Sequence, residues 1–534
     1  MRRRHFLASA ALPVLAGCEA RPDIAGGFTG INVERGHLLQ ARRAWPAPAS
    51  TQRARVVIAG GGVAGLSAAR VLRQRGIDDF ALLELEDSAG GNSRGGAVGG
   101  IVCPLGAHYL PLPGDDAREV QDLLEEFGLR QRVAGRWVYD ERHLCHSPQE
   151  RLFFNGAWQE GLLPMQGVGP VTLAQYRRFA QLVAQAGQAT KFAIPIAKAP
   201  LTPAVAALDG VTFAAWLDQQ GLDDAYLRWY LGYCCRDDYG AGLDVVSAWA
   251  GLHYFASRHG FHAPDEAVSD AEREAGGVLT WPEGNAWLTR RLAAPLGERL
   301  RPGQVVVRIA AGRHGVEVDA YDAASGRLRR WQAEHCIVAL PLFIAARVVE
   351  NPPPALRQAA AQLRYAPWLV ANVHIRAPLD DRPGAAPSWD NVVFDTRAGA
   401  EGLGYVDAMH QSLLPVPGAT VLSCYRALGL APARRQALYA QPWTHWRDTL
   451  LADFAVPHPD LAAKATRIDI TRYGHAMSTP VPGIRSSAAL AALRQPLPAA
   501  WRRLAFAHSD LSGYSIFEEA FAHGHSAGQS ALPG

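Results

Sequence analysis

The sequence predicts an α/β protein in which a Rossmann-type nucleotide-binding domain is interrupted by a second domain. A short β-branched strand runs into a glycine turn at Gly60, Gly62 and Gly65, which is the arrangement of a dinucleotide-binding βα unit. Helical periodicity dominates from about 115 to 270, and strand patterns return near Val278. A length of 534 residues also exceeds what one compact core usually holds.

The composition is that of an ordinary globular protein. Hydrophobic residues make up 49% of the chain and charged residues 19%, with a net charge of +3. So small a charge gives no indication of a nucleic-acid partner. Seven cysteines are present without a CxxC pair, so zinc ribbons and thioredoxin-like motifs are not supported. For the adjacent Cys234 and Cys235, a role as small buried residues is favoured over a strained redox pair.

The first 18 residues are interpreted as a targeting signal and not as part of the fold. Arg3-Arg4 followed by a short apolar run resembles a twin-arginine export signal. Leu15-Ala16-Gly17-Cys18 resembles a bacterial lipobox, in which Cys18 would carry lipid. We therefore expect a periplasmic protein that is lipid-anchored to a bacterial membrane after Tat export. Residues 19–54, rich in Gly, Pro and Ala, are predicted to form a tether.

The glycine turn is predicted to hold a pyrophosphate at the start of the following helix, where Val63 and Ala64 lie. A second apolar strand ends in Glu84, a position from which an acid accepts a ribose hydroxyl. Next come Gly90 and Gly91, which allow close approach of backbone to a ligand, and Arg94, which could reach phosphates.

Five motifs in the same order resemble the flavin amine oxidase and phytoene-desaturase-like superfamily of FAD enzymes. They are Gly60–Gly65 with Leu83-Glu84, Gly90-Gly91, Trp281–Asn285 with Val306-x-x-Ile309, Cys336–Leu342, and Phe506–Asp510 with Phe517–Gly524. The resemblance spans most of the chain, and it distinguishes FAD from NAD, which the glycine turn alone does not.

The resemblance implies a Rossmann-type (GR2-like) FAD-binding domain with an inserted α+β substrate domain. The FAD-binding domain would comprise residues 55–110, 271–350 and 476–534, and the substrate domain 111–270 and 351–475. It also implies that FAD is bound non-covalently. The backbone at Val306 would contact adenine, Asp510 the ribityl-phosphate region, and the Phe517 amide the flavin carbonyl.

Departures from the family pattern affect the expected chemistry. Many amine oxidases of this family have a lysine on the strand that corresponds to 368–375, where this chain has none. Fast reaction with oxygen is therefore in doubt, and a quinone or a redox protein is a candidate electron acceptor. The family's aromatic cage would be supplied by Tyr473 or His475 on one side and by Tyr514 on the other.

Three histidines are candidates for a general base, because imidazole titrates near neutral pH. They are His475, which the resemblance favours, His108 and His508. No metal site is predicted, since the trio His253, His259 and His262 lacks a matching carboxylate. Asp237-Asp238 is interpreted as the end of a helix and not as a catalytic pair.

The leading prediction is an exported FAD-dependent oxidoreductase that oxidises a small organic substrate, with an amine as first candidate. Two alternatives remain open at this stage. One is a desaturase or isomerase acting on an apolar substrate. The other is a flavin-binding envelope lipoprotein without turnover.

Overall fold

The structure is a computed structural model that describes residues 23–531 apart from 41–44, 265, 267–268, 270–275, 398–400 and 415. The predicted export and lipidation signal, including Arg3, Arg4 and Cys18, lies outside the described residues.

The described residues form strands and helices that are numbered here in chain order. The strands are β1 (Ala25–Phe28), β2 (Ser50–Arg53), β3 (Val56–Ala59), β4 (Phe80–Leu83), β5 (Gly95–Val98), β6 (Ile101–Pro104), β7 (Tyr109–Pro111), β8 (Arg130–Val133), β9 (Arg136–Tyr139), β10 (Glu150–Phe154), β11 (Ala157–Glu160), β12 (Val278–Thr280), β13 (Leu300–Arg301), β14 (Gln304–Ala311), β15 (Val316–Asp322), β16 (Arg327–Ala333), β17 (His335–Val338), β18 (Tyr365–Ile375), β19 (Asp390–Val393), β20 (Gly402–Asp407), β21 (Thr420–Ala427), β22 (Ala465–Ser478) and β23 (Leu504–Phe506). The helices are α1 (Val33–His37), α2 (Val63–Gln74), α3 (Arg118–Glu126), α4 (Pro170–Ala189), α5 (Pro203–Asp209), α6 (Phe213–Gln219), α7 (Ala225–Tyr239), α8 (Ala248–Ala256), α9 (Ala286–Ala293), α10 (Leu342–Val348), α11 (Pro354–Gln362), α12 (Pro432–Ala440), α13 (Trp443–Asp453), α14 (Leu461–Lys464), α15 (Ala488–Leu493) and α16 (Phe517–Ser530).

A five-stranded parallel sheet forms the centre of the nucleotide-binding domain. Its strand order is β13-β4-β3-β17-β23, and every neighbouring pair is parallel. All four residues of β3 are buried, as expected for a strand that is covered on both faces. The Rossmann-type fold predicted from the glycine turn is thus confirmed.

The closing helix α16 packs directly on α2, the helix that follows the glycine turn. A Cβ added at Gly524 would lie 2.1 Å from the Ala64 carbonyl oxygen, so only glycine permits this approach. The Ser67 hydroxyl donates to the Phe521 carbonyl at 2.7 Å. The end of the chain therefore braces the helix at which the nucleotide is expected.

An eight-stranded sheet, ordered β1-β22-β18-β21-β20-β19-β10-β11, forms the core of the substrate domain. Helices α4, α6, α7 and α8 contribute side chains to a hydrophobic cluster on one face of this sheet, which includes Val370 of β18. Side chains of α12 and α13 join Leu369, Ala371 and Val373 on the opposite face. Alternate residues of β18 thus face the two helical layers.

A four-stranded sheet, β14-β15-β16-β2, adjoins the nucleotide-binding domain. Its strand β2 pairs in parallel with β16 through residues 50–53. Strand β1 pairs in parallel with β22 and lies at the edge of the substrate sheet. The segment 23–54, for which the sequence predicts a tether, therefore contributes strands to two sheets. The structure of this segment comes from main-chain hydrogen bonds to the distant strands β22 and β16, which its amino-acid composition does not predict.

None of the helices in the described ranges is both long and apolar enough to cross a lipid bilayer.

Candidate active site

The glycine turn joins β3 to α2 with little space around its backbone. Gly60 has a φ of +104°, and a Cβ added at Gly65 would lie 1.9 Å from the Gly60 carbonyl oxygen. Gly62 is the N-cap of α2, and Val63 and Ala64 form its first turn. No side chain caps the start of α2, which leaves its first N–H groups for the pyrophosphate that the motif predicts here.

Glu84 follows β4 and is held beside this turn. Its carboxylate accepts the Gly61 N–H at 2.8 Å through Oε2 and the Glu86 N–H at 2.8 Å through Oε1. Burial raises the pKa of Glu84, although these bonds and Arg94 act in the opposite direction. The strand β14 begins beside it, because the Gln304 N–H donates to the Glu84 carbonyl at 2.7 Å. Val306 lies two residues along, where the register with β15 shifts.

The second glycine motif closes onto the first. The Gly90 N–H donates to the Gly61 carbonyl at 2.9 Å. Gly91 has a φ of +57°, and its added Cβ would lie 3.1 Å from the α-carbon of Gly62. A side chain at Gly91 would therefore press against the backbone of the glycine turn at Gly62.

Arg94 is buried and directed at main-chain oxygens. Its Nε donates to the Gly91 carbonyl at 3.1 Å and its Nη1 to the Gly30 carbonyl at 2.8 Å. Glu86 lies 3.6 Å from Nη1. Arg94 therefore organises the loop that surrounds the predicted pyrophosphate position.

Asp510 lies where β23 leads into the last part of the chain. Its Oδ2 accepts the Leu342 N–H at 2.8 Å and the Tyr365 hydroxyl at 2.6 Å. Its Oδ1 is buried and lies 3.2 Å from His508 Nδ1. Burial acts to raise the pKa of Asp510, but His508 and the two donors outweigh it and the pKa is lowered. Phe517 is the first residue of α16.

A cluster of aromatic rings lies against the loop that follows β6. The His108 ring stacks on Tyr425 with centroids 4.4 Å apart, and Trp389 lies 5.4 Å from the same imidazole. Tyr425 and Tyr473 fix this loop by donating to the carbonyls of Gly106 and Leu105, at 3.0 and 2.7 Å. These two tyrosines come from the face of the substrate sheet that also carries Val370.

Three carboxylates from different elements meet beside this aromatic cluster. Glu150 of β10 and Asp390 of β19 are register partners in parallel strands. Asp237 lies in the last turn of α7, and its Oδ2 accepts the Tyr109 hydroxyl at 3.3 Å. Each lies deep in the protein but keeps part of its surface accessible. Because Asp237 and Glu150 both act electrostatically on Asp390, the trio Glu150, Asp237 and Asp390 forms one cluster of interior acids.

Burial raises the pKa of all three acids, and repulsion from neighbouring carboxylates adds to this effect for Asp237 and Asp390. The pKa of Asp237 rises to about 7 through burial first and the Asp238 charge second. Burial raises that of Glu150 to about 7 as well. Burial, then the charges of Asp237 and Glu150, raise the pKa of Asp390 well above its ordinary value. The trio therefore carries fewer negative charges at neutral pH than three free carboxylates would.

The cation that acts on this trio is already paired. Arg258 lowers the pKa of Asp237, but its Nη1 lies 3.1 Å from Asp238 Oδ2. Buried carboxylates without a dedicated partner are costly, and such perturbed groups concentrate at functional sites.

The predicted catalytic residues His108, His475 and Tyr514 lie in three different surroundings, of which those of the two histidines are described first. His108 lies in the aromatic cluster, and burial lowers its pKa to about 3. His475 stacks on Phe343 with centroids 4.6 Å apart, and burial with the nearby Arg435 lowers its pKa to about 4. Both imidazoles are therefore neutral at pH 7.

Tyr514, predicted as a cage residue, is enclosed in the interior. Its hydroxyl donates to Glu519 Oε1 at 2.8 Å and lies 3.0 Å from His253 Nε2. Only 1% of the tyrosine is exposed, so its location favours positioning of α16 over contact with substrate. The third candidate base, His508, accepts the Asp510 N–H at 3.1 Å.

Metal ligands and reactive thiols are not evident at the site. In the described ranges no three His, Cys, Asp or Glu residues are arranged to hold a metal ion. Cys234 and Cys235 are free and buried, and burial raises the pKa of both thiols. Neither is therefore a ready nucleophile.

Comparison with known proteins identifies the family. A family model described as flavin containing amine oxidoreductase matches residues 63–412, more than half of the chain. The chain belongs to this family. The superfamily resemblance read from the five motifs is thereby confirmed, and the protein is an FAD-dependent oxidoreductase.

Solved structures show the same fold at low sequence identity. Wild-type putrescine oxidase bound to putrescine is 20% identical, with a TM-score of 0.67, and the match covers 90% of this chain and 98% of that one. Cyclohexylamine oxidase from Brevibacterium oxydans is 18% identical, with the same coverage and a TM-score of 0.64. A fatty acid isomerase from P. acnes, described as producing CLA, is 16% identical over 88% of this chain and 97% of that one, with a TM-score of 0.60. No curated protein sequence matches this chain significantly.

The residues around the glycine turn fit the cofactor of this family. Glycine at 62 and 91 lets the two backbones approach closely, and no side chain caps the start of α2, so its N–H groups can receive a pyrophosphate. Glu84 keeps lone pairs for a ribose hydroxyl beside the two N–H groups that it accepts. Asp510 Oδ1, 3.2 Å from His508 Nδ1, keeps a lone pair for a further hydroxyl.

Sequence reasoning missed the carboxylate trio. Glu150 and Asp390 lie 240 positions apart, and only the pairing of β10 with β19 brings them together. Asp237-Asp238 is a signal in the sequence, but its position at the end of α7 is equally typical of a solvated helix end.

Proposed function

We propose that this FAD-dependent enzyme oxidises an amine that carries at least two positive charges. The observation that carries the proposal is the carboxylate trio beside the aromatic cluster. A cationic amine bound here would meet three acids whose ionisation is suppressed by burial, and its charges would favour their ionised forms. Aromatic faces such as those of Tyr425 and Trp389 also favour cations.

When bound, FAD supplies the two-electron oxidant, and the chain positions the substrate and manages its proton. An amine must lose its proton before the adjacent carbon is oxidised. The best base for that step has a pKa near the working pH. Asp237, at about 7 in the free enzyme, comes nearest to this condition, and a bound cation lowers its pKa from there. His108 and His475, with pKa values of about 3 and 4, are much weaker bases.

An anaerobic reduction experiment tests the proposal. Purified holoenzyme is mixed without oxygen with a monoamine, a diamine, a polyamine or an unsaturated fatty acid, and flavin bleaching is followed. We expect the diamine or polyamine to bleach the flavin fastest. Bleaching by the monoamine alone, or by none of the amines, would refute the proposal.

An apolar substrate is the second candidate, because one structural neighbour is described as a fatty acid isomerase. A fatty acid would bring its own carboxylate close to the trio, where like charges repel. Among the residues of the site, the aromatic rings favour this candidate and the acids do not. Product analysis after incubation with an unsaturated fatty acid distinguishes it from an amine oxidase.

We also propose that the enzyme is exported by the Tat route and anchored through lipid on Cys18. The support is the order of the two signals in residues 1–18. Replacing Arg3 and Arg4 by lysine should leave the protein in the cytoplasm, whereas replacing Cys18 by serine should release it from membranes. Unchanged fractionation of both variants would contradict this assignment.

A further inference from the structure

Residues 23–40 form a strap between the substrate sheet and the nucleotide-binding domain. We define the N-terminal strap as residues 23–40 and the cofactor loop as residues 84–94. Strand β1 of the strap pairs in parallel with β22 from Ala25 to Phe28. The Arg472 guanidinium lies 3.6 Å from the centre of the Phe28 ring. The strap is thereby seated on the substrate sheet.

Beyond β1 the strap binds the first part of the cofactor loop. The Asn32 N–H donates to the Glu86 carboxylate at 3.1 Å. Arg35 Nη1 donates to the Leu85 carbonyl at 3.2 Å and to Asp87 Oδ1 at 2.6 Å. These three acceptors directly follow Glu84, whose carboxylate is held at the glycine turn.

The strap also binds the far end of the same loop. The Gly30 carbonyl accepts Arg94 Nη1 at 2.8 Å, while Arg94 Nε donates to the Gly91 carbonyl. Gly91 in turn lies against Gly62 of the glycine turn. One segment thus connects the substrate sheet to both ends of the loop that encloses the predicted FAD pyrophosphate.

We propose that the N-terminal strap keeps the cofactor loop closed on FAD, with Arg35 as a positioning residue. The cofactor loop lies against the glycine turn where Gly91 meets Gly62, and release of FAD bound beside this contact requires the loop to move away from the turn. Because the strap joins this loop to another sheet, such movement requires its hydrogen bonds to break. The proposal depends on the family's cofactor and not on the identity of the substrate.

The rate of FAD release tests the proposal directly. Holoenzyme is diluted, and the fluorescence of released FAD is followed over time. Arg35→Ala removes two hydrogen bonds from a charged donor, so we expect release to become about tenfold faster. Arg142→Ala is the matched control. The Arg142 side chain also pairs with an aspartate, Asp140, at 2.6 Å, and its described hydrogen bonds go to Asp140 and not to the cofactor loop. Its release rate should equal that of the wild type.

A merely structural role predicts a different result. In that case Arg35→Ala would lower the thermal midpoints of apoenzyme and holoenzyme alike and leave FAD release unchanged, which would overturn the proposal. If Arg35→Ala does not fold, Asp87→Asn gives the same test at a largely exposed side chain. Faster release from this variant supports the proposal, and an unchanged rate refutes it.

Discussion

At the scale of single residues, the acid trio Glu150, Asp237 and Asp390 is the basis of the proposed amine oxidation. Asp237 is surrounded by tyrosines and acids, with Tyr109 as its hydroxyl donor. Moving a carboxylate out of water favours its protonated form, and neighbouring carboxylates increase the effect. A cationic ligand reverses both effects, so binding and ionisation of the trio are linked.

Substitution of Asp237 tests its contribution to amine binding. We expect Asp237→Asn to raise the KM for a diamine by tenfold or more, since a charged hydrogen bond is worth about 1.5–3 kcal/mol. FAD content should not change, because Asp237 lies in the substrate domain. Asp223→Asn, at an exposed position near the start of α7, is the control. Equal KM values for both variants would contradict the assignment.

The free enzyme should lose stability as the pH rises through neutrality. The folded pKa values of Asp237 and Glu150, about 7, lie above the usual unfolded values. The folded state therefore binds more protons than the unfolded state between the two values, and the free energy of unfolding falls with increasing pH. Below about pH 6.5 the buried neutral His108 and His475 act in the opposite direction, so we expect thermal midpoints of the free enzyme to decrease from about pH 6.5 to about pH 8.

Two comparisons isolate the cause of that pH dependence. Asp237→Asn should flatten the profile, because the amide does not titrate. A bound diamine should also flatten it, since its charge lowers the pKa values of the trio. A profile that is identical in wild type and variant would show that other groups cause it.

At the scale of secondary-structure elements, close helix contacts hold the nucleotide site in shape. Helix α16 meets α2 at Gly524 and Gly528, where added Cβ atoms would lie 2.1 and 2.8 Å from α2 atoms. The ordered strap acts on the other side of the glycine turn. The two ends of the described chain therefore both brace the segment from β3 to α2.

Enlarging Gly524 tests the helix contact. We expect Gly524→Val to destabilise the protein by about 1–3 kcal/mol or prevent folding, because the added atoms overlap the α2 backbone. Gly187→Ala in α4 is the control, since no atom lies near its added Cβ. That change should be neutral or stabilising by about 0.5–1 kcal/mol. Denaturant unfolding measures both, and equal stabilities would contradict the packing argument.

At the scale of the whole molecule, the substrate sheet separates two helical layers, and one of its faces meets the nucleotide-binding domain. Strand β18 carries no lysine between Tyr365 and Ile375. Val370 lies on the face of this strand that packs against α4, α6, α7 and α8. The family resemblance associates fast oxygen reaction with a lysine on this strand. The chain departs from that pattern over the whole strand.

The absence of this lysine leads us to predict that a quinone reoxidises the flavin faster than oxygen does. Enzyme reduced by substrate without oxygen is mixed either with air-saturated buffer or with a soluble quinone. We expect reoxidation to be faster with the quinone than with oxygen at equal concentration. Oxygen that reoxidises the flavin as fast as the quinone would show that the enzyme does not need the lysine.

The sequence by itself determined the nucleotide-binding half of this protein. Glycine turns, the acid at Glu84 and the closing motif near Asp510 depend on local backbone geometry, and spacing along the chain records such geometry. The FAD cofactor and the fold class could be predicted for that reason. Tertiary structure alone decided the rest. Glu150, Asp237 and Asp390 come together through strand pairing and helix packing, which leave no local signal. Likewise, residues 23–40 have a tether's composition and gain order only from partners far along the chain, because a single edge strand is not stable on its own.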